Sequence, residues 1–454
     1  MPSRARDGRL KRALKQNGRS VLAVLAAPLI VFAAYSVHLL NVGGISDWIS
    51  RHYFSLVSHT AKRMMRDDIR LIYISEKDPE LGDFTSDSVR EQARGKHADL
   101  ARNLEKAGAS IVAFDLYFKT PMHDATAQAG TADFVRAVRE INARGKTRVI
   151  IGYSSDLGQS LASSLSRETW GDVEVVDEET KDEQRLVENA ILVLKQGLKT
   201  KDGIQEVLSV PVPMALKVAM TQMARGADTI TVGTDDKRGE VVLYQNGNAL
   251  RRFRAKMDVC TRPNVDCKFD KSGFQWQSKA LMPFAMPYFD EAARISYQTA
   301  LKTSSQSSDF RGKIVFVGAE TSEEKRSAHG NIPSSGLYGY EVQAAFTSDL
   351  LSDSWLRGLT PVREFLALYI FAIITVLARR FLPKTDVEVE THFIGTRRLP
   401  AGLLILIVVY SVAAVIAYST QNLLFEPGYD IAVIGLVYFW VSRPAKKSEM
   451  QEWL

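Results

Sequence analysis

An α/β domain with a mainly parallel sheet, carried outside a membrane by one N-terminal and three C-terminal transmembrane helices, is the architecture the sequence predicts. Three observations lead to it. Uncharged apolar runs lie at the two ends of the 454-residue chain. Basic residues cluster beside those runs, as they do on the cytoplasmic side of a membrane. Between the runs, hydrophobic segments of strand length alternate with segments of helical period. At 46% hydrophobic and 24% charged residues, wholesale disorder is excluded. A mean hydropathy of −0.10 excludes a carrier embedded along its whole length.

The formal charge of +6 is concentrated at the start. Residues 1–20 hold Arg4, Arg6, Arg9, Lys11, Arg12, Lys15 and Arg19 against Asp7, which is the whole chain's excess. That segment reads as a cytoplasmic topology signal rather than a nucleic-acid surface, because no RNP, zinc-finger or basic-helix pattern accompanies it. The first span follows over residues 21–42, 22 residues without a formal charge against the roughly 20 that cross a bilayer core. The run passes Ala34 with no A-x-A site, so a retained anchor is expected rather than a cleaved signal peptide.

At the other end, a second span is expected over 363–382, with Arg379 and Arg380 reaching back to the interface. A third covers 399–419 and a fourth 423–441, joined by a cytoplasmic loop, 383–398, and closed by a cytoplasmic tail, 442–454. Basic residues mark every proposed inner end, so both termini are placed in the cytoplasm and residues 43–362 outside. Glu426 and Asp430 share one helical face in the fourth segment, which places them either among the outer headgroups or along a polar seam.

Within the external domain, Ile69–Ile74 reads as a buried strand. Ser88 and Glu91 have capping-box spacing, Val89 to Ala107 recur at helical spacing, and Gly108 closes the helix. Ser110–Phe118 is a second apolar run, Phe134–Ala143 a helix and Arg148–Tyr153 a third strand. Residues 154–205 lose this rhythm. Nine acids to three bases between Arg167 and Glu188 suggest a solvated insertion, with no D-x-[DN]-x-[DN]-G calcium loop. A helix over Met214–Arg225, strands near Ile230 and Val241–Tyr244, a helix over Tyr288–Leu301, a strand at Ile314–Val317 and a final helix from about Tyr340 complete the pattern. Cys260 and Cys267, spaced C-x6-C in a compartment that permits oxidation, are expected to form a disulfide; two free thiols are the alternative.

The strings GKHADLARNLEKAGASIVAFD (Gly95–Asp115), ISY (Ile295–Tyr297), FRGKIVFVGA (Phe310–Ala319) and GYEVQAAFTSDLL (Gly339–Leu351), in this order, resemble the type-two CHASE family. The resemblance covers roughly residues 45–442. It implies an extracytoplasmic sensory domain of a bacterial membrane receptor, followed by three membrane helices. Family members usually continue into a cyclase or kinase, whereas only Ser442–Leu454 follow the last expected span here. The expected signal therefore passes through the helices to a separate protein.

No HExxH, GxSxG or Walker A motif and no suitably placed GxGxxG is present, and the seven histidines are scattered. No enzyme activity, cofactor or metal is expected. Open α/β sheets bind ligands at strand carboxyl ends, so Asp115, Glu76 and Glu320, with Asp124 in a following loop beside His123, are the candidate ligand-binding residues. Capping and other structural roles are the alternative for each. The sequence therefore predicts a multi-pass receptor subunit of the bacterial cytoplasmic (inner) membrane with a periplasmic or extracellular domain, forming a homodimer or a membrane complex with a separate signalling or envelope protein. The alternative is a non-signalling envelope scaffold whose external domain docks other proteins.

Overall fold

The computed structural model describes residues 18, 20–34, 64–116, 118, 125–153, 165–166, 169–172, 176–181, 184–200, 203–209, 212–224, 229–235, 238, 240–254, 256–259, 274–283, 286–303, 307–328, 336–354, 357–358, 361–383, 385–391, 395–421, 423–424 and 427–442. The chain forms two compact units, residues 62–357 and a second made of 1–61 with 358–454. Asp124, the Cys260–Cys267 pair and Glu426 lie outside the described residues.

Six strands organise the first unit: β1 Ile69–Ser75, β2 Ile111–Asp115, β3 Arg148–Tyr153, β4 Trp170–Asp172, β5 Arg294–Ser296 and β6 Ile314–Glu320. They lie in the order β5-β1-β6-β2-β3-β4 and every neighbouring pair is parallel. Alternate side chains leave opposite faces of a strand. Ile72, Ile74, Val112, Phe114, Val315 and Val317 pack on one face with helices α1, Arg94–Lys106, and α2, Ala125–Arg144. Ile69, Leu71, Ile111, Ala113, Ile314 and Phe316 pack on the other with α3, Met214–Met223, and α4, Gly339–Ser352. Burial on both faces is why these strands read as unbroken apolar runs.

Several boundaries differ from expectation. The capping box at Ser88 and Glu91 does not form. The helix is instead split into Asp87–Gln92 and α1, and the Ser88 hydroxyl is paired with that of Ser86 at 2.9 Å. Gly108 does close α1, at φ +83°. Helix α2 starts at Ala125, well before Phe134, and the helix over 214–225 ends at Met223. The expected helix Tyr288–Leu301 is a correction of larger consequence. Its middle forms edge strand β5, with Ile295 opposite Ile72, and only Tyr297–Leu301 is α-helical, capped by Ser296 Oγ accepting from the Thr299 amide at 3.2 Å. Pairing to β1 overrides the local helical period there.

The acidic stretch 154–205 is not structureless. Val176–Lys181, Gln184–Thr200 and Gly203–Ser209 are antiparallel strands in a seven-stranded sheet that also includes Phe274–Pro283. A high acid count marks solvent contact and does not by itself distinguish a loop from a solvated strand. A three-stranded meander, Ile230–Asp235, Glu240–Gln245 and Asn248–Arg254, turns at Asn246-Gly247, both with positive φ of 50° and 82°. Asn-Gly suits the two-residue hairpin turn that matches strand twist.

The second unit contains the helices Ser20–Ala34, Pro361–Ala378, Ala401–Gln421 and Pro427–Ser442. Among the described residues one helix, Ala401–Gln421, is long and apolar enough to cross a membrane. Its 21 residues span about 32 Å at the α-helical rise. Ser20–Ala34 and Pro427–Ser442 are apolar and shorter. Ala23, Ala27, Leu368, Ala372, Leu406, Tyr410, Val433 and Val437 form a shared core. Glu364, Thr375 and Asp430 are buried, with the Tyr410 hydroxyl donating to Asp430 at 2.8 Å, while Leu25, Leu29, Ile370, Leu377, Val408, Val412 and Ile416 face outward.

Candidate functional site

The strand order sets where a crevice opens. Strand β2 leads to α2 on one face of the sheet, and its neighbour β6 leads to α4 on the other. Adjacent strands whose connections leave by opposite faces part at their carboxyl ends, and ligands of open α/β sheets bind there. Asp115 ends β2, Glu320 ends β6 and Glu76 follows β1, so three of the four expected site residues stand on the carboxyl edge of three adjacent strands.

The first turn of α4 lies across this edge because two glycines let it. Gly318 is the register partner of Asp115, and a Cβ there would overlap the Tyr340 ring and its Cβ. A Cβ on Gly339 would come 3.2 Å from Asp115 Oδ2 and 3.7 Å from Glu324 Oε2. The glycines of VGA and GYEV thus dock helix onto strand ends, and they bring Tyr340, Glu341 and the Asp115–Glu324 pair together.

Two electrostatic groups result. Asp115 is ordered beside Glu324 and Arg326, and burial, followed by the Glu324 charge, pushes its carboxyl up to about 8 against the pull of Arg326. Beside it, Arg294 of β5 is almost fully buried, with its guanidinium 5.4 Å above the Tyr73 ring. Arg294 forms an ion pair with Glu320, lies 3.6 Å from Glu341 Oε1 and reaches Glu291 at 3.7 Å. The Tyr340 hydroxyl donates to Glu320 at 2.7 Å, and the Tyr338 amide donates to Glu341 Oε2 at 2.9 Å. Glu341 is wholly buried and its Oε1 accepts no hydrogen bond. Burial pushes the Glu341 carboxyl up to about 8, with Arg294 and the Tyr338 amide opposing and Glu320 and Glu291 adding to the rise. Burial alone would lower Arg294, but Tyr340, Glu341, Glu320 and Glu291 reverse this and hold its guanidinium above its ordinary value.

Glu76 is exposed at the rim, where its charge helps raise Tyr338 after the larger effects of burial, Glu320 and Glu341. It joins neither group directly. Sequence reasoning missed Arg294, Glu341 and Glu324 as members of the site. The available signals were a lone arginine opening the ISY strand and an acid in the first turn of the final helix.

The other quoted strings meet on the opposite face. His97 Nδ1 and the Tyr297 hydroxyl are 2.8 Å apart, which joins GKHADL to ISY, among Phe84, Phe114, Phe118 and Phe134. Burial, then Arg94, pushes His97 down to about 3, so it is a neutral core residue. Gly312, at φ +70°, donates its amide to the Gly108 carbonyl at 2.8 Å and ties AGAS to GKIVFVG. Among the described residues no group of three or more His, Cys, Asp or Glu is placed to hold a metal ion.

Every string of the resemblance therefore has a place in one sheet and its flanking helices, and the family model for the CHASE2 domain matches residues 24–378. The chain belongs to the CHASE2 family. CHASE2 domains are extracytoplasmic sensory domains, so the α/β unit is a sensory domain. No curated protein and no solved structure matches the chain.

Proposed function

We propose that this protein is a multi-pass receptor subunit of the bacterial cytoplasmic membrane, with both termini inside and the CHASE2 domain outside. It detects a ligand or partner at the strand-end crevice and signals through its helices to a separate protein. The observation that carries this reading is the docking of α4 on the crevice. The last helix of the sensory domain begins at the candidate site, and eight residues of chain link its last residue, Ser352, to the next helix at Pro361.

The second unit supports a membrane-embedded bundle of four spans by its inverted polarity. Its interior holds Glu364, Asp430 and Thr375 and its outer surface is apolar, which is costly in water and favourable in lipid. Asp115, Glu320 and, at the rim, Glu76 are the proposed ligand contacts, with Asp124 retained as a fourth. The reading assigns no catalysis, cofactor or metal.

A homodimer would supply the two-state interface that signalling needs, since a ligand shifts a conformational equilibrium only through different affinities for its two states. Ala413 is exposed on the bundle and reports such an interface, whereas Ala23 is buried in the bundle core. Cysteine crosslinking from Ala413 in membranes is expected to yield a dimer whose extent changes with growth conditions. An unchanging pattern, together with affinity purification that recovers only envelope proteins, would replace the sensor with the scaffold.

A further inference from the structure

The network at the start of α4 contains more negative than positive charge. Glu341, wholly buried, and Glu320, partly buried at the end of β6, share the one guanidinium of Arg294. Two ionised carboxylates would leave a net negative charge in the protein interior, which costs far more than retaining a proton. The contacts indicate which carboxyl retains it. Glu320 already receives two donors, the Arg294 guanidinium and the Tyr340 hydroxyl. Glu341 receives one amide at Oε2, and its Oε1 is buried without a hydrogen bond.

We propose that the Glu320–Arg294–Glu341 network is a proton-binding site whose occupancy fixes the first turn of α4 on the strand ends, making the proton the stimulus that this sensory domain reads. The proposal deepens the receptor reading given above and rests on it. The groups facing Glu341 are Arg294 from β5, Glu291 from the turn before it, Glu320 from β6, and Tyr338 and Tyr340 beside it in sequence; Tyr73 of β1 lies under the guanidinium. With the proton bound, the network is neutral and α4 is seated. With the proton lost, Glu341 and Glu320 compete for Arg294, and the Glu341 carboxylate is drawn toward solvent, lifting the turn that contains Gly339. Asp115, whose Oδ2 lies 3.2 Å from where a Cβ on that glycine would stand and whose carboxyl is also raised, reinforces the same direction.

Hydrogen exchange on the full-length protein in lipid nanodiscs tests this, with rates at the α4 N-terminal amides corrected for intrinsic base catalysis. Protection at Glu341 to Ala344 is expected to fall at least tenfold between pH 6 and pH 9, with a midpoint near 8. Glu341→Gln retains the acceptor for the Tyr338 amide and cannot ionise, so its protection is expected to stay constant across that range. Glu320→Gln removes the competing charge, so Glu341 ionises more readily and the midpoint moves to lower pH. Wild-type protection independent of pH would overturn the proposal, as would a Glu341→Gln protein that follows the wild-type curve. If Glu341→Gln fails to fold, an unmoved or raised midpoint in Glu320→Gln overturns it. The Ala413 crosslinking experiment reads signalling separately, so a changing dimer with pH-independent α4 would reject the proton and keep the receptor.

Discussion

His97 and Glu341 sit on opposite faces of one sheet and give the domain opposite pH limits. His97 is held neutral, with its ionisation depressed from about 6.5 to about 3. The unfolded chain therefore binds a proton that the folded one refuses. The stability this residue contributes is present above about pH 6.5 and is lost as pH falls toward 3, an effect on the order of several kcal/mol. Glu341 works the other way, with its ionisation raised from about 4.5 to about 8. Its contribution is complete below about 4.5 and is lost as pH rises through 8. Denaturant midpoints measured from pH 4 to pH 9 are expected to fall at both limits. His97→Phe should flatten the acid limb while leaving the Tyr297 hydroxyl unpaired, at a cost of about 1–3 kcal/mol. Glu341→Gln should flatten the alkaline limb. A variant that retains its limb would remove that residue from the account.

The docking of α4 depends on Gly318 having no side chain. Gly318→Ala would force Tyr340 off the end of β6, and such overpacking costs on the order of 1–3 kcal/mol. The thermal midpoint should drop, and the loss of protection should appear first at α4. The Asn246-Gly247 turn offers a matched control away from the site, because Gly247→Ala strains a position at φ 82° and costs about 1 kcal/mol without altering α4. If both variants lose α4 protection equally, the special role of Gly318 is wrong. These elements also show what the sequence made legible. Strands β1, β2, β3 and β6 were readable because burial on both faces leaves a continuous apolar run. The edge strand β5 was not, because its three residues, Arg294–Ser296, carry one arginine and one serine and are defined by the partner strand. For the same reason Asp115 and Glu320, at legible strand ends, were placed on the shared edge from sequence. Arg294 and Glu341 enter the site only through tertiary pairing, and no local pattern encodes that.

At the scale of the whole molecule, the inverted polarity of the helical unit, the run of basic residues before the first apolar segment and the CHASE2 match from residue 24 to residue 378 are consistent with one topology. An external, oxidising location should leave Cys260 and Cys267 bonded, so alkylation under non-reducing conditions is expected to trap neither; trapping both would place free thiols there. The most direct test of the account labels the domain itself. A single cysteine is introduced by Glu178→Cys in a Cys260→Ser, Cys267→Ser background, and intact spheroplasts are exposed to a membrane-impermeant maleimide. Labelling before lysis, equal to that after lysis, is the predicted result. Labelling that appears only after lysis would place the domain inside the cell and contradict both the topology and the receptor built on it.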